Sequence, residues 1–95
     1  MSLEELVSKY IVSAEQVFKE MEIVENSVNL NHSSVKKVVG FAKAYLEDAN
    51  YYRDKKKFEI SLASVAYCEG LLDALKLVGA VKFEWPVKRE EKKEK

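Results

Sequence analysis

Chain breakers are scarce in these 95 residues: three glycines, at 40, 70 and 79, and the single proline Pro86. Their scarcity leaves long stretches with no breaker, the punctuation of a helical protein. Cysteine and histidine occur once each, as Cys68 and His32. One cysteine forms no internal disulfide. A zinc or di-iron site in a helical bundle needs several His, Cys or Glu ligands at fixed spacing, and they are not present, so no metal or other cofactor is expected. Net charge is also lacking, since 16 basic and 16 acidic residues cancel. No overall field draws the chain to nucleic acid or to an anionic membrane, and neither is expected as a partner. No apolar run approaches the ~18 residues of a membrane span, and the first residues show no secretory pattern. A reducing cytoplasm is the expected location.

Capping signals and apolar spacing set out the helices. Ser2-Leu3-Glu4-Glu5 is a capping box, which starts helix 1. From it Leu3, Val7, Tyr10, Ala14, Val17, Met21, Val24 and Val28 recur in steps of four and three, so helix 1 is predicted over residues 2–28. Asn31, Ser33 or Ser34 can cap helix 2, predicted over 33–54, with Val35, Val38, Ala42, Tyr45, Ala49 and Tyr52 as its stripe, widened by Val39 and Leu46. The charged break Asp54-Lys55-Lys56-Lys57 makes helices 2 and 3 a tight antiparallel hairpin. Helix 3 is predicted over 57–78, ended by Gly79. Beyond it Val81, Phe83 and Trp85 alternate with Lys82 and Glu84, the pattern of an extended segment docked on the bundle. Residues 88–95 are all charged, and the end of the chain, 87–95, is expected to be a disordered tail after one domain spanning 1–86. The fold class is therefore all-α, an antiparallel three-helix bundle with a short docked C-terminal segment. A domain of this length removes roughly 60 to 65% of its unfolded surface from water.

Catalytic readings find little support. Nucleophilic catalysis would have to recruit His32, and Cys68 lies in a helix that reads as buried, where a thiol behaves as a small hydrophobe. No glycine-rich phosphate loop is present. The carboxylates Glu69 and Asp73 stand one helical turn apart, close enough to share a cation or a proton. They are read instead as a solvated face in which Lys76 neutralises Asp73. Tyr51 projects away from the stripe of helix 2 and is a candidate interface anchor.

Gly70 sits in the middle of helix 3, where glycine costs about 1 kcal/mol relative to alanine. Ala66, Gly70 and Ala74 are spaced by four, a small-residue ridge that lets a neighbouring helix approach closely, with Ala42 and Ala49 of helix 2 as its expected counterparts. On that reading Gly70→Leu overpacks the ridge and destabilises by roughly 1 to 3 kcal/mol.

The run Ala44-Tyr45-Leu46-Glu47-Asp48-Ala49-Asn50-Tyr51-Tyr52, the run 61–75 containing Tyr-Cys-Glu-Gly-Leu-Leu-Asp-Ala, and Glu84-Trp85 resemble the archaeal family called domain of unknown function 357. The resemblance covers roughly residues 35–85. It implies a small helical protein from an archaeon and no activity, substrate or cofactor. Where that family tends to place a glycine, in the turn between helices 2 and 3, this chain has Lys55-Lys56-Lys57. The hairpin also resembles a single tetratricopeptide-type unit, with Ser61 where alanine is usual. A vaguer likeness to helical nucleotide-binding and ribonuclease domains lacks the histidine that follows their arginine, here Arg53 or Arg89.

Two functions remain. The first is a non-catalytic structural or protein-interaction module with a filled core. The second is a small-ligand or nucleotide-binding accessory domain, whose cavity would be lined by Tyr45, Tyr52, Tyr67 and Glu69. Helix 3 is apolar on nearly every side, with Ile60, Tyr67, Leu71 and Val78 on one arc, Cys68, Leu72 and Leu75 on a second, and Leu62 with Val65 on a third. Two neighbouring helices do not cover three arcs. A homodimer, or one protein partner through helix 3, is therefore expected.

Overall fold

A computed structural model describes residues 1–25 and 31–86. Three helices, α1 (Leu3–Glu20), α2 (His32–Asp54) and α3 (Phe58–Leu77), are joined by a two-stranded antiparallel ribbon of β1 (Glu22–Ile23) and β2 (Val81–Lys82). The architecture is the expected all-α bundle. The predicted disorder of residues 87–95 lies outside the described residues, as does Val28.

Local chemistry accounts for most boundaries. The amide of Glu5 donates to Ser2 Oγ at 3.1 Å and the amide of Ser2 to Glu5 Oε1 at 2.9 Å, which completes the capping box. Asn31 caps α2 through Oδ1, 3.2 Å from the amide of Ser34. Both α2 and α3 end in the same device. Lys57 N–H donates to the Tyr52 carbonyl and Lys56 N–H to that of Arg53, while Ala80 N–H donates to Leu75 and Gly79 N–H to Lys76. These are paired Schellman bonds around a left-handed residue. In α3 that residue is Gly79, with φ of 78°; in α2 it is Lys56, with φ of 63°, so a lysine holds the conformation that favours glycine.

The end of α1 departs from the sequence pattern. The helix stops at Glu20, eight residues before the expected end, and Met21 turns extended with ψ of 138°. Glu22 then pairs with Lys82 and Ile23 with Val81, and Val24 N–H donates to the Ala80 carbonyl at 2.9 Å. The docked C-terminal segment would otherwise be an unpaired edge, and β1 supplies its hydrogen bonds. The buried stripe of α1 is also rotated from the expected one, to Val7, Ile11, Ala14 and Val17, leaving Leu3 and Tyr10 at the margin.

The core joins that stripe to Val35, Ala42, Leu46 and Ala49 of α2, to Val65, Cys68, Leu72 and Leu75 of α3, and to Ala80, Val81 and Phe83. The α2–α3 hairpin is the closest-packed pair, and α1 lies across it, more against α3 than α2. Close approach is set by Ala49 and Ser61. The fully buried Ser61 donates from Oγ to the Ala49 carbonyl at 2.6 Å, an interhelical bond that alanine could not form. Asn50 Nδ2, 3.3 Å from Glu15 Oε2, links α2 to α1.

Candidate functional site

The core arc of α3 runs through Ser61, Val65, Cys68, Leu72 and Leu75. At 100° per residue the opposite side carries Ala63, Ala66, Gly70, Ala74 and Leu77, and all five are exposed. The expected packing role of Ala66, Gly70 and Ala74 against α2 is therefore corrected: a Cβ built on Gly70 meets nothing within 4 Å. The reason is that the side with Ser61, Val65, Cys68, Leu72 and Leu75 has more apolar area to bury and faces the core, which leaves the small-residue row outside. Within a single chain, leucine at position 70 enters open space, so the expected overpacking does not occur.

The docked C-terminal segment explains the carboxylates. Trp85 Nε1 donates to Asp73 Oδ1 at 2.8 Å, and Lys76 Nζ stands 3.6 Å from Glu84 Oε1 and 5.0 Å from the centre of the Phe83 ring. Phe83 and Trp85 meet edge to face at 5.1 Å. Asp73 and Lys76 thus clamp residues 83–85 onto the flank of α3 facing the ribbon. Val81 and Phe83 are buried and Trp85 is half-buried, as their alternation predicts. Glu69, half-buried, lies on that flank one turn earlier.

The four residues expected to line a ligand cavity do not converge on one. Tyr45 and Tyr67 touch edge to face across the α2–α3 junction, with ring centres 4.5 Å apart. Glu69 is on the other flank of α3. Tyr52 instead pairs with Tyr51 at 5.1 Å, and Lys55 Nζ lies 5.4 Å from the Tyr51 ring centre. A depression of about 850 Å³ runs along the outer side of α1, lined by Glu4, Glu5, Lys9, Val12, Glu20 and Pro86 among others and by none of those four. His32 opens α2 with Nε2 3.8 Å from Glu25 Oε1. Among the described residues no three His, Cys, Asp or Glu side chains stand together as a metal site. Cys68 is fully buried, and desolvation, reinforced by the neighbouring charge of Glu69, pushes its thiol up to about 12. Such a thiol is unreactive.

What α3 does present is apolar surface. Between residues 60 and 78 every exposed residue is Ile60, Ala63, Ala66, Tyr67, Gly70, Ala74, Leu77 or Val78, and none carries charge. In a chain that is 34% charged, a water-facing helix side whose charge is confined to Glu59 in the first turn is unusual. Leu77 is 85% exposed, Val78 59%, Tyr67 55% and Ile60 47%. Phe41, 59% exposed, extends the surface onto α2 one turn from Tyr45. Sequence reasoning missed Phe41 and Leu77; the four-residue step from Phe41 to Tyr45 was the available signal. Of the three arcs, the second is buried, the third is covered or half-covered, and the first is half-covered at Leu71 and open at Ile60, Tyr67 and Val78.

Fold and surface together define a small helical-bundle protein that, among the described residues, leaves an apolar face of α3 exposed. The family model "Protein of unknown function (DUF357)" matches residues 9–81, and the chain belongs to that family. No curated protein and no solved structure matches it. Among the described residues, no helix is long and apolar enough to cross a membrane.

Proposed function

We propose that the chain is a non-catalytic protein-interaction module of the cytoplasm that docks through the outer side of α3 and the adjoining edge of α2. One observation carries this reading: the uncharged apolar face from Ile60 to Val78, flanked by Phe41 and Tyr45. Contiguous apolar surface of this kind loses its hydration when a partner covers it, and that is the driving force for docking. The tyrosines add large contact area at low conformational cost. The surrounding architecture supports the same role, because the clamp of Asp73 and Lys76 on residues 83–85 and the buried Ser61–Ala49 bond hold α3 in place as a firm platform. A photo-crosslinking side chain tests the reading in the native cell. Placed at Ala74 it should give a protein adduct, whereas at Lys9, on the outer side of α1, it should not. Absence of any adduct from Ala74, or equal adducts from both positions, refutes the docking face.

A further inference from the structure

We infer that the occupant of this face is a second copy of the chain, in a two-fold dimer whose α3 helices cross antiparallel at Gly70. The inference rests on the docking-face reading above and adds the identity of the partner.

Area comes first. Phe41, Tyr45, Ile60, Tyr67, Leu77 and Val78, with the small residues between them, offer on the order of 800 Å² per chain, which is what each partner gives to a standard stable interface. The pattern of side-chain sizes is self-complementary. Around Gly70 the exposed row reads Ala63, Ala66, Gly70, Ala74, Leu77, with an average step near 3.5 residues that suits a shallow crossing of about 20°. Two copies laid antiparallel put Gly70 against the partner's Gly70 and Ala66 against the partner's Ala74. Ala63 then faces the partner's Leu77, so the most exposed large side chain of the helix meets a small one at each end. A surface that complements itself under a half-turn is what an isologous interface requires. Gly70 makes this possible, since open space above its backbone lets the partner backbone approach closely.

Symmetry also sorts the flanks. A two-fold axis across the helices sets each flank against its own equivalent. The Phe41, Tyr45 and Tyr67 edge therefore runs along the same edge of the partner, and together the two α2–α3 hairpins make a four-helix layer. Glu69 and Asp73 lie on the opposite flank and stay at the rim, where carboxylates remain hydrated. Glu59, one turn before Ala63 on the same row, falls at the outer end of the contact, beyond the partner's Leu77.

Sedimentation equilibrium from low to high micromolar concentration tests the inference on the wild-type chain and on Gly70→Lys. In the single chain a side chain at position 70 enters open space, so Gly70→Lys should keep the wild-type far-UV circular dichroism. The wild type should sediment at twice the monomer mass, and Gly70→Lys, which sets two ammonium groups against each other on the axis, should associate more than about a hundredfold more weakly. As a second measurement, Gly70→Cys in a Cys68→Ala background should form a disulfide-linked dimer on mild oxidation. A wild type that stays monomeric overturns the inference, as does a dimer that survives Gly70→Lys or fails to cross-link through position 70. A monomer that gives a photo-adduct from Ala74 with a different protein overturns the dimer and leaves the docking face standing.

Discussion

Replacing Lys56 with glycine should stabilise the fold, although it removes a charge and shortens a side chain. Lys56 holds φ at 63° in the turn between α2 and α3, where its amide and that of Lys57 close the Schellman bonds. A left-handed conformation costs an L-residue roughly 1 to 2 kcal/mol. Glycine has no such penalty but gains freedom in the unfolded chain, which offsets about 0.4 to 1 kcal/mol of the benefit. The net expectation is a gain of about 0.5 to 1 kcal/mol, because the exposed lysine side chain has no packing to lose. For a domain of this size the midpoint of thermal unfolding should rise by about 2 to 8 °C. Gly79→Ala supplies the opposite sign, since Gly79 at φ of 78° closes the equivalent motif of α3. Urea unfolding followed by circular dichroism, with all variants at one protein concentration, measures both. The reasoning fails if Lys56→Gly lowers the midpoint at unchanged m-value, or if Gly79→Ala is neutral.

Three further outcomes follow from buried or clamped groups. Ser61→Val should destabilise by roughly 1 to 3 kcal/mol in chemical unfolding, because it deletes the bond to the Ala49 carbonyl and overfills the closest helix contact; Ser61→Ala, which only deletes the bond, should lose about 0.5 to 1.5 kcal/mol. Trp85→Phe keeps the ring contact with Phe83 but removes the donor to Asp73, so a loss of about 1 kcal/mol is expected, with backbone amide exchange at Val24 accelerated as the ribbon loosens. Cys68 links stability to alkaline pH. Its thiol stays protonated in the fold up to about 12 and ionises near 9.0 once unfolded, so the folded state should lose stability as pH rises through that window, and Cys68→Ala should show a shallower decline. Below pH 9 the two proteins should have the same pH dependence.

Much of the fold was legible because the signals are local. The Ser2 capping box, the Asn31 cap, the lysine-rich turn and Gly79 each act within a few residues, and they mark the helix starts and the hairpin wherever the rest of the chain goes. The alternation of Val81, Phe83 and Trp85 likewise announced a docked extended segment, and the Tyr-Cys-Glu-Gly-Leu-Leu-Asp-Ala run announced the family.

Tertiary structure decided what local pattern left degenerate. Met21 and Val24 continue the helical spacing of α1, yet Ile23 and Val24 serve equally as strand residues, and the choice fell to pairing with Ala80 and Lys82 nearly sixty positions away. Asp73 could have been half of a site until the indole of Trp85, twelve residues on, claimed its carboxylate oxygen. The row of Ala66, Gly70 and Ala74 carried the same ambiguity. Because α3 is apolar nearly all round, its own periodicity does not say which side is inside. The Ser61 hydroxyl fixed that by reaching the Ala49 carbonyl, which turned Val65, Cys68 and Leu72 inward and left Gly70 facing out. Sequence determined that helix 3 is apolar on nearly every side, and only the packing of α2 against Ser61 determined which side stays exposed among the described residues.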